Sequence, residues 1–156
     1  MSFPKFEDCK TEVNNRDLDE VEARLGIVLP SDLRQHYLKY NGGSPVPSFY
    51  KSGDNYYWVR GFLPIKYGIT DDPELTLEAY YADLVMDDPR IPEGLIPFAD
   101  DPGGNMYCYG IGKANMHSIS FWEHEFFDDP DQGLTVIASS LHEFLNGFER
   151  HPEDED

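Results

Sequence analysis

Asp100-Asp101-Pro102-Gly103-Gly104-Asn105 stands between two short apolar runs, Leu95-Ile96-Pro97-Phe98-Ala99 and Met106-Tyr107-Cys108-Tyr109. The flanking runs have strand composition, and the hexapeptide between them is built from turn formers. Gly103 and Gly104 reach positive φ with no Cβ clash, and Asn105 tolerates it better than most residues. The stretch reads as a tight turn joining two strands. Working outward, 105–111 and 118–122 extend the pattern, so 95–122 is expected to form an antiparallel meander.

On the N-terminal side, Leu18, Val21 and Leu25 share one helical face. Asp17 is the expected cap of that helix, Glu20 its capping-box partner, and Gly26 its left-handed stop. Pro30 closes the apolar link Ile27-Val28-Leu29, and Ser31 is the expected N-cap of a second helix, 32–40. Leu33, His36, Tyr37 and Tyr40 recur there at three- and four-residue spacing, and Asn41-Gly42-Gly43 ends it. Residues 44–52 read as a Pro/Ser/Gly-rich connection. Residues 56–65 have the aromatic and β-branched content of strands, with Pro64 marking an edge or boundary. Asp72 and Pro73 then open a third helix, whose body runs from Leu75 to Met86. The last helix starts at Ser140, with Glu143 completing a capping box, and stops at Gly147. Helices at both ends and strands between them predict one α+β domain over 1–150. Its central antiparallel sheet has about four to six strands. Residues 151–156 are expected to form a disordered acidic tail.

Two motifs carry a resemblance. Leu25-Gly26 followed by Leu29-Pro30, a second helix ending in Tyr40-Asn41-Gly42-Gly43, and then Ile96-Pro97-Phe98-Ala99-Asp100-Asp101 with Gly103-Gly104-Asn105 resembles the SUKH superfamily. That superfamily comprises immunity proteins and the fungal cell-wall-assembly regulators. The resemblance spans roughly residues 17 to 147. Gly26, Pro30, Asn41, Gly42, Gly43, Asp101, Gly103, Gly104 and Asn105 are its structural motif residues, expected to make turns and packing contacts. It implies a cytoplasmic protein that binds and neutralises a secreted toxin, with nuclease toxins the usual partners.

Charge points the same way. Thirty acidic residues face twelve basic ones in a chain of 156, a formal net charge of −18. Glu153-Asp154-Glu155-Asp156 carry four of those charges and leave −14 for the rest, so the body itself is acidic. Such a field repels nucleic acid and anionic lipid and speeds encounter with a basic partner. It equally serves plain solubility. No apolar run approaches the ~18 residues that span a bilayer. The N-terminus lacks the basic and apolar regions of a signal peptide. The two cysteines, Cys9 and Cys108, form no Cys-x-x-Cys motif, and Cys108 on a strand reads as a small buried hydrophobe.

Asp-Asp-Pro occurs at 71–73, 87–89, 100–102 and 128–130. One carboxylate of each pair suffices to cap a turn, which leaves the other free to face outward. Asp71, Asp72, Glu74, Asp87, Asp88, Asp128 and Asp129 are therefore the candidate acidic rim for a basic partner. Tyr56 and Trp58 are the candidate aromatic anchors, because strand alternation exposes either that pair or Tyr57 and Val59. Core packing is the simpler reading of those rings.

Catalytic and metal signatures fail on inspection. The Asp100–Asn105 stretch lacks the alternating ligands and closing Glu of a calcium loop. His124-Glu125 and His142-Glu143 begin a zincin motif, but its second histidine is replaced by Asp128 and Asn146. Gly110-Ile111-Gly112 lacks both the third glycine and the surrounding βαβ unit of a dinucleotide site. No cofactor or metal is expected. His36 and His124 read as structural histidines. A regulatory scaffold is the alternative role, and a small enzyme using His124 or the Asp100/Asp101 pair is the remote one.

Overall fold

The computed structural model describes residues 3–68 and 75–154. The central element is a five-stranded antiparallel sheet in the order β5-β6-β7-β8-β9. Its strands are β5 (Gly61–Phe62), β6 (Leu95–Asp100), β7 (Met106–Gly110), β8 (Ile119–Trp122) and β9 (Leu134–Ala138). β6 and β7 are buried along their whole length, so both faces of the sheet are covered there. Pro97 cannot donate to a ladder and sits inside β6. The register shifts between Pro97 and Ala99, which absorbs the missing N–H in a bulge.

The α+β class and the meander are as the sequence reads, but 44–52 is not a mere connection. It contributes β2 (Ser44–Val46), antiparallel to β1 (Lys5–Glu7), and β3 (Phe49–Ser52). β3 is the middle strand of a three-stranded sheet with β4 (Asn55–Trp58) and β10 (Phe148–Glu149). β1, β9 and β10 also escaped the sequence reading, since none is both long and alternating.

Helix α1 (Asn15–Leu25) begins one turn earlier than expected. Asn14 is its N-cap, its side chain accepting from the Asp17 N–H at 2.9 Å. Asp17 is the reciprocal capping-box partner, accepting from the Asn14 N–H at 3.0 Å. This frees the second Asp17 oxygen to take Lys66 Nζ at 2.7 Å. Gly26 adopts φ 69° and donates to the Glu22 carbonyl, the expected left-handed stop. Helix α2 (Ser31–Lys39) has Pro30 at the N-cap position with no side-chain cap. Ser31 is thus the first helical residue rather than the cap, because the Pro30 carbonyl already accepts from Arg34. Arg34 ties the two helices together through Asp19 at 3.1 Å and Glu22 at 3.3 Å.

The expected opening of the third helix at Asp72 and Pro73 lies outside the described residues. The described part, α3 (Leu77–Tyr81), is capped by the Thr76 hydroxyl and continues as a π-helical turn over Ala82–Asp87. A single turn, α4 (Pro130–Gly133), precedes β9. Helix α5 (Leu141–Asn146) is capped by Ser140, which accepts from the Glu143 N–H at 3.0 Å. Glu143 reaches back to Ser139 instead of Ser140, so the reciprocal half is displaced by one residue.

Phe144 of α5 is fully buried and touches Phe98 and Tyr107 of the sheet as well as Tyr50 and Phe148 of the smaller one. It welds the two sheets into one core. Beyond Arg150 the chain continues with the His151 ring 5.1 Å from Phe49 and 4.8 Å from Tyr56, then a 3-10 turn over Pro152–Asp154.

Asn41-Gly42-Gly43 does more than end α2. The Asn41 amide donates to the Thr11 carbonyl at 2.8 Å and the Ile65 carbonyl at 2.9 Å, and its oxygen accepts from the Ile65 N–H at 2.7 Å. Gly43 has φ 93°, and a Cβ there would lie 2.7 Å from Cys9 Sγ and 2.9 Å from the Glu7 carbonyl. Replacing Asn41 with Ala orphans buried backbone groups on both neighbours. The expected loss is about 2–4 kcal/mol, read as a lower urea midpoint at unchanged m-value.

Candidate functional site

The hexapeptide between β6 and β7 is an Asp-capped turn. Asp101 Oδ1 accepts from the Gly103 N–H at 2.9 Å and the Asn105 N–H at 2.8 Å, and Oδ2 accepts from the Asn105 amide at 3.0 Å. The Asn105 side-chain oxygen in turn accepts from the His124 N–H at 3.0 Å. His124 Nε2 lies 2.9 Å from the Gly103 carbonyl, where it donates. Gly104 takes φ 90°, as its place in the turn requires. Every polar group of the motif is thereby committed to holding the turn and the segment after β8.

A cleft of about 430 Å³ opens beside this turn, with Arg60, Arg90, Asp83 and Asp100 on its walls. Asp100 is buried and bonded to the Arg60 guanidinium. Burial pushes its carboxyl pKa up, while Arg60 opposes that shift. Arg90 pairs with Asp83 at 3.3 Å and Asp88 at 3.9 Å. The acids and bases of this cleft are matched to one another. No nucleophile stands within reach of a base that a third group orients. Among the described residues, no cluster of three or more His, Cys, Asp or Glu is arranged to hold a metal. Cys108 is buried in β7, and burial pushes its thiol pKa far up, away from the reactive thiolate.

The candidate partner-binding residues fall on separate segments. Asp87 and Asp88 are exposed at the end of the π-helical turn after α3. Asp128 is exposed and Asp129 half-buried in the loop between β8 and α4. Asp71, Asp72 and Glu74 lie outside the described residues. Strand alternation in β4 turns out one way: Val59 is fully buried and Tyr57 packs on the core against Phe121. Tyr56 and Trp58 face outward, Trp58 with 51% of its surface exposed. Phe49, opposite Trp58 on β3, stacks on it at 5.6 Å.

Exposed Phe126 and Phe127, just before Asp128, are the functional candidates that sequence reasoning missed. Their adjacency to the third Asp-Asp pair in the acidic rim was the available signal.

The sequence profile of the SMI1 / KNR4 family (SUKH-1) matches residues 12–147. This chain belongs to that family. It is also 32% identical over 183 aligned positions to the SPbeta prophage-derived uncharacterized protein YokK of Bacillus subtilis (strain 168). That alignment covers 100% of this chain and 91% of the relative. The motif residues of this SUKH-1 domain map onto turns: Gly26 at the stop of α1, Asn41 to Gly43 after α2, and Asp101 to Asn105 between β6 and β7.

His36 of this SUKH-1 domain is buried on α2 among Phe6, Tyr37, Tyr40 and Phe62. Burial, aided by Lys39, lowers its pKa from 6.5 to about 4. Between those values the unfolded ring carries a proton that the folded ring refuses, so stability falls as pH drops from 6.5 through 4. The loss tends to about 3 kcal/mol. Denaturant titrations of the parent and of His36→Phe at pH 7 and pH 4 read it: the variant loses less on acidification. Independently, Asp101→Ala frees three donors at the turn and lowers stability by about 1–2 kcal/mol, seen as a lower thermal midpoint.

Proposed function

We propose that this domain is a non-catalytic immunity protein that binds a cognate toxin and neutralises it in the cytoplasm. The observation that carries the reading is the pairing of SUKH-1 membership with a net charge of −18. The prophage-derived relative supports it, because toxin and immunity genes travel together on mobile elements. The partner is a basic toxin domain, a nuclease whose surface is built to hold phosphates. An inhibitor of this charge is steered onto such a surface, and the same field keeps nucleic acid and anionic membranes away.

In this reading the acidic loops occupy the phosphate track. Asp71, Asp72, Glu74, Asp87, Asp88, Asp128 and Asp129 supply the charge, and Tyr56 and Trp58 supply apolar anchoring. Exposed aromatic rings beside acidic loops have the composition of an interface hot spot, with large contact area and few rotamers to freeze.

The direct test is binding to the C-terminal domain of the toxin-like protein encoded beside this gene, followed at low and high salt. A complex whose association slows as salt rises is expected. Changing Asp71, Asp72, Asp87 and Asp88 together to Asn slows association about tenfold at low salt with little change in dissociation. Trp58→Ala acts oppositely: it speeds dissociation and costs about 2 kcal/mol. A quadruple variant that associates as fast as the parent removes the steering role of these loops. A chain that binds no neighbouring toxin, and instead retains endogenous cytoplasmic partners, is a regulatory scaffold.

A further inference from the structure

The largest groove of the described structure lies away from the acidic loops and from the β6–β7 turn. It measures about 740 Å³, against about 430 and 270 Å³ for the two clefts near Arg60. Its walls come from three elements that are remote in sequence: the segment entering β1, helix α2 and helix α5. Phe6 and Tyr40 line one side and Leu141 and Leu145 the other, so the floor is apolar. This size and lining are those of a small-molecule site, in which apolar surface supplies affinity and a few polar groups set orientation.

The polar groups at this groove are unlike those of the rest of the surface. Lys5 and Lys39 stand at its rim, and among the described residues neither ammonium forms an ion pair. Arg34, Arg60, Lys66 and Arg90, by contrast, are all paired with carboxylates. The carboxylate nearest to hand, Asp32, is engaged by the Tyr109 hydroxyl at 2.6 Å and its neighbour's N–H at 2.8 Å. A chain of net charge −18 therefore places two uncompensated cations beside its largest apolar groove.

A second observation is independent of charge. Four buried side-chain polar atoms lack a hydrogen-bond partner among the described residues, and one of them, His36 Nε2, belongs to a groove wall. Unmade bonds at buried polar atoms are rare and mark places where a further group is accommodated.

We infer that this groove binds an anionic amphiphile of the fatty-acid type, its alkyl chain against Phe6, Tyr40, Leu141 and Leu145 and its carboxylate between Lys5 and Lys39. The occupant is anionic because the rim is cationic. It is a chain rather than a compact polar metabolite because the floor offers apolar surface and few donors. The site stands apart from the toxin-binding reading, and neither depends on the other.

Dodecanoate, titrated below its micelle concentration into the full chain and followed by amide NMR shifts, is the test. Saturable shifts confined to α2, α5 and β1 are expected. Decanoate binds about tenfold or more weakly, since each buried methylene contributes about fourfold. Dodecanol, with the same chain and no charge, binds at least tenfold more weakly. Lys5→Glu with Lys39→Glu reproduces that loss, and Gln35→Trp, which fills the groove from an exposed lining position without changing charge, abolishes the shifts. Both variants are first checked for an unchanged amide spectrum elsewhere. Absence of saturable shifts, equal affinity for dodecanol, or full binding by a folded Gln35→Trp each overturns the assignment.

Discussion

The Asn41 side chain is the constraint on which the rest of the structure depends. One amide, placed at the end of α2, bonds to backbone groups at Thr11 and Ile65, residues that are far apart in the chain. It closes the N-terminal segment, the helical pair and the strand exit after β5 on one another. Gly42 and Gly43 let the chain pass where no Cβ fits, against Pro64 on one side and Cys9 and Glu7 on the other. Directly beyond, the Gly43 carbonyl accepts from the Phe62 N–H, joining the small β1–β2 sheet to the edge of the central one. Lys66, next to Ile65, then reaches the Asp17 carboxylate on α1, while its N–H is taken by buried Glu78 on α3.

An acidic chain must still fold, and here the division between interior and surface charge is clean. The carboxylates that lie inside are each engaged: Asp17 by Lys66, Asp100 by Arg60, Glu22 by Arg34 and the Leu29 N–H, Glu78 by the Lys66 N–H. Burial of a charge is tolerable only on such terms. Exposed loop aspartates such as Asp87, Asp88 and Asp128 have no such duty inside the fold, so the surplus negative charge is left to solvent.

How far the sequence could be read followed from how local each cause is. The turn at Asp101 to Asn105, the stop at Gly26 and the cap at Ser140 are decided by residues within a few positions, and all three were legible. The start of α1 was misplaced because Asn14 and Asp17 are both good caps, and only the tertiary pairing of Asp17 with Lys66 distinguishes cap from partner. β1, β2 and β10 have two or three residues each and owe their existence to a partner strand distant in sequence, which no local pattern encodes. The role of Asn41 was hidden for the same reason: its motif looks like a helix stop, while its bonds go to Thr11 and Ile65. For the outward pair on β4, alternation supplied two choices, and the buried position of Val59 chose between them.

The commitment of Asp101, Asn105 and His124 to one another carries an evolutionary consequence. Residues that give this domain its family signature are consumed in holding its shape, so they are poorly placed to discriminate between ligands. The exposed aspartates and rings occupy loop tips and an outward strand face, where substitutions leave the scaffold's bonds intact. Recognition can therefore diverge quickly on an unchanging frame, and two such domains alike in every turn can still answer to different molecules.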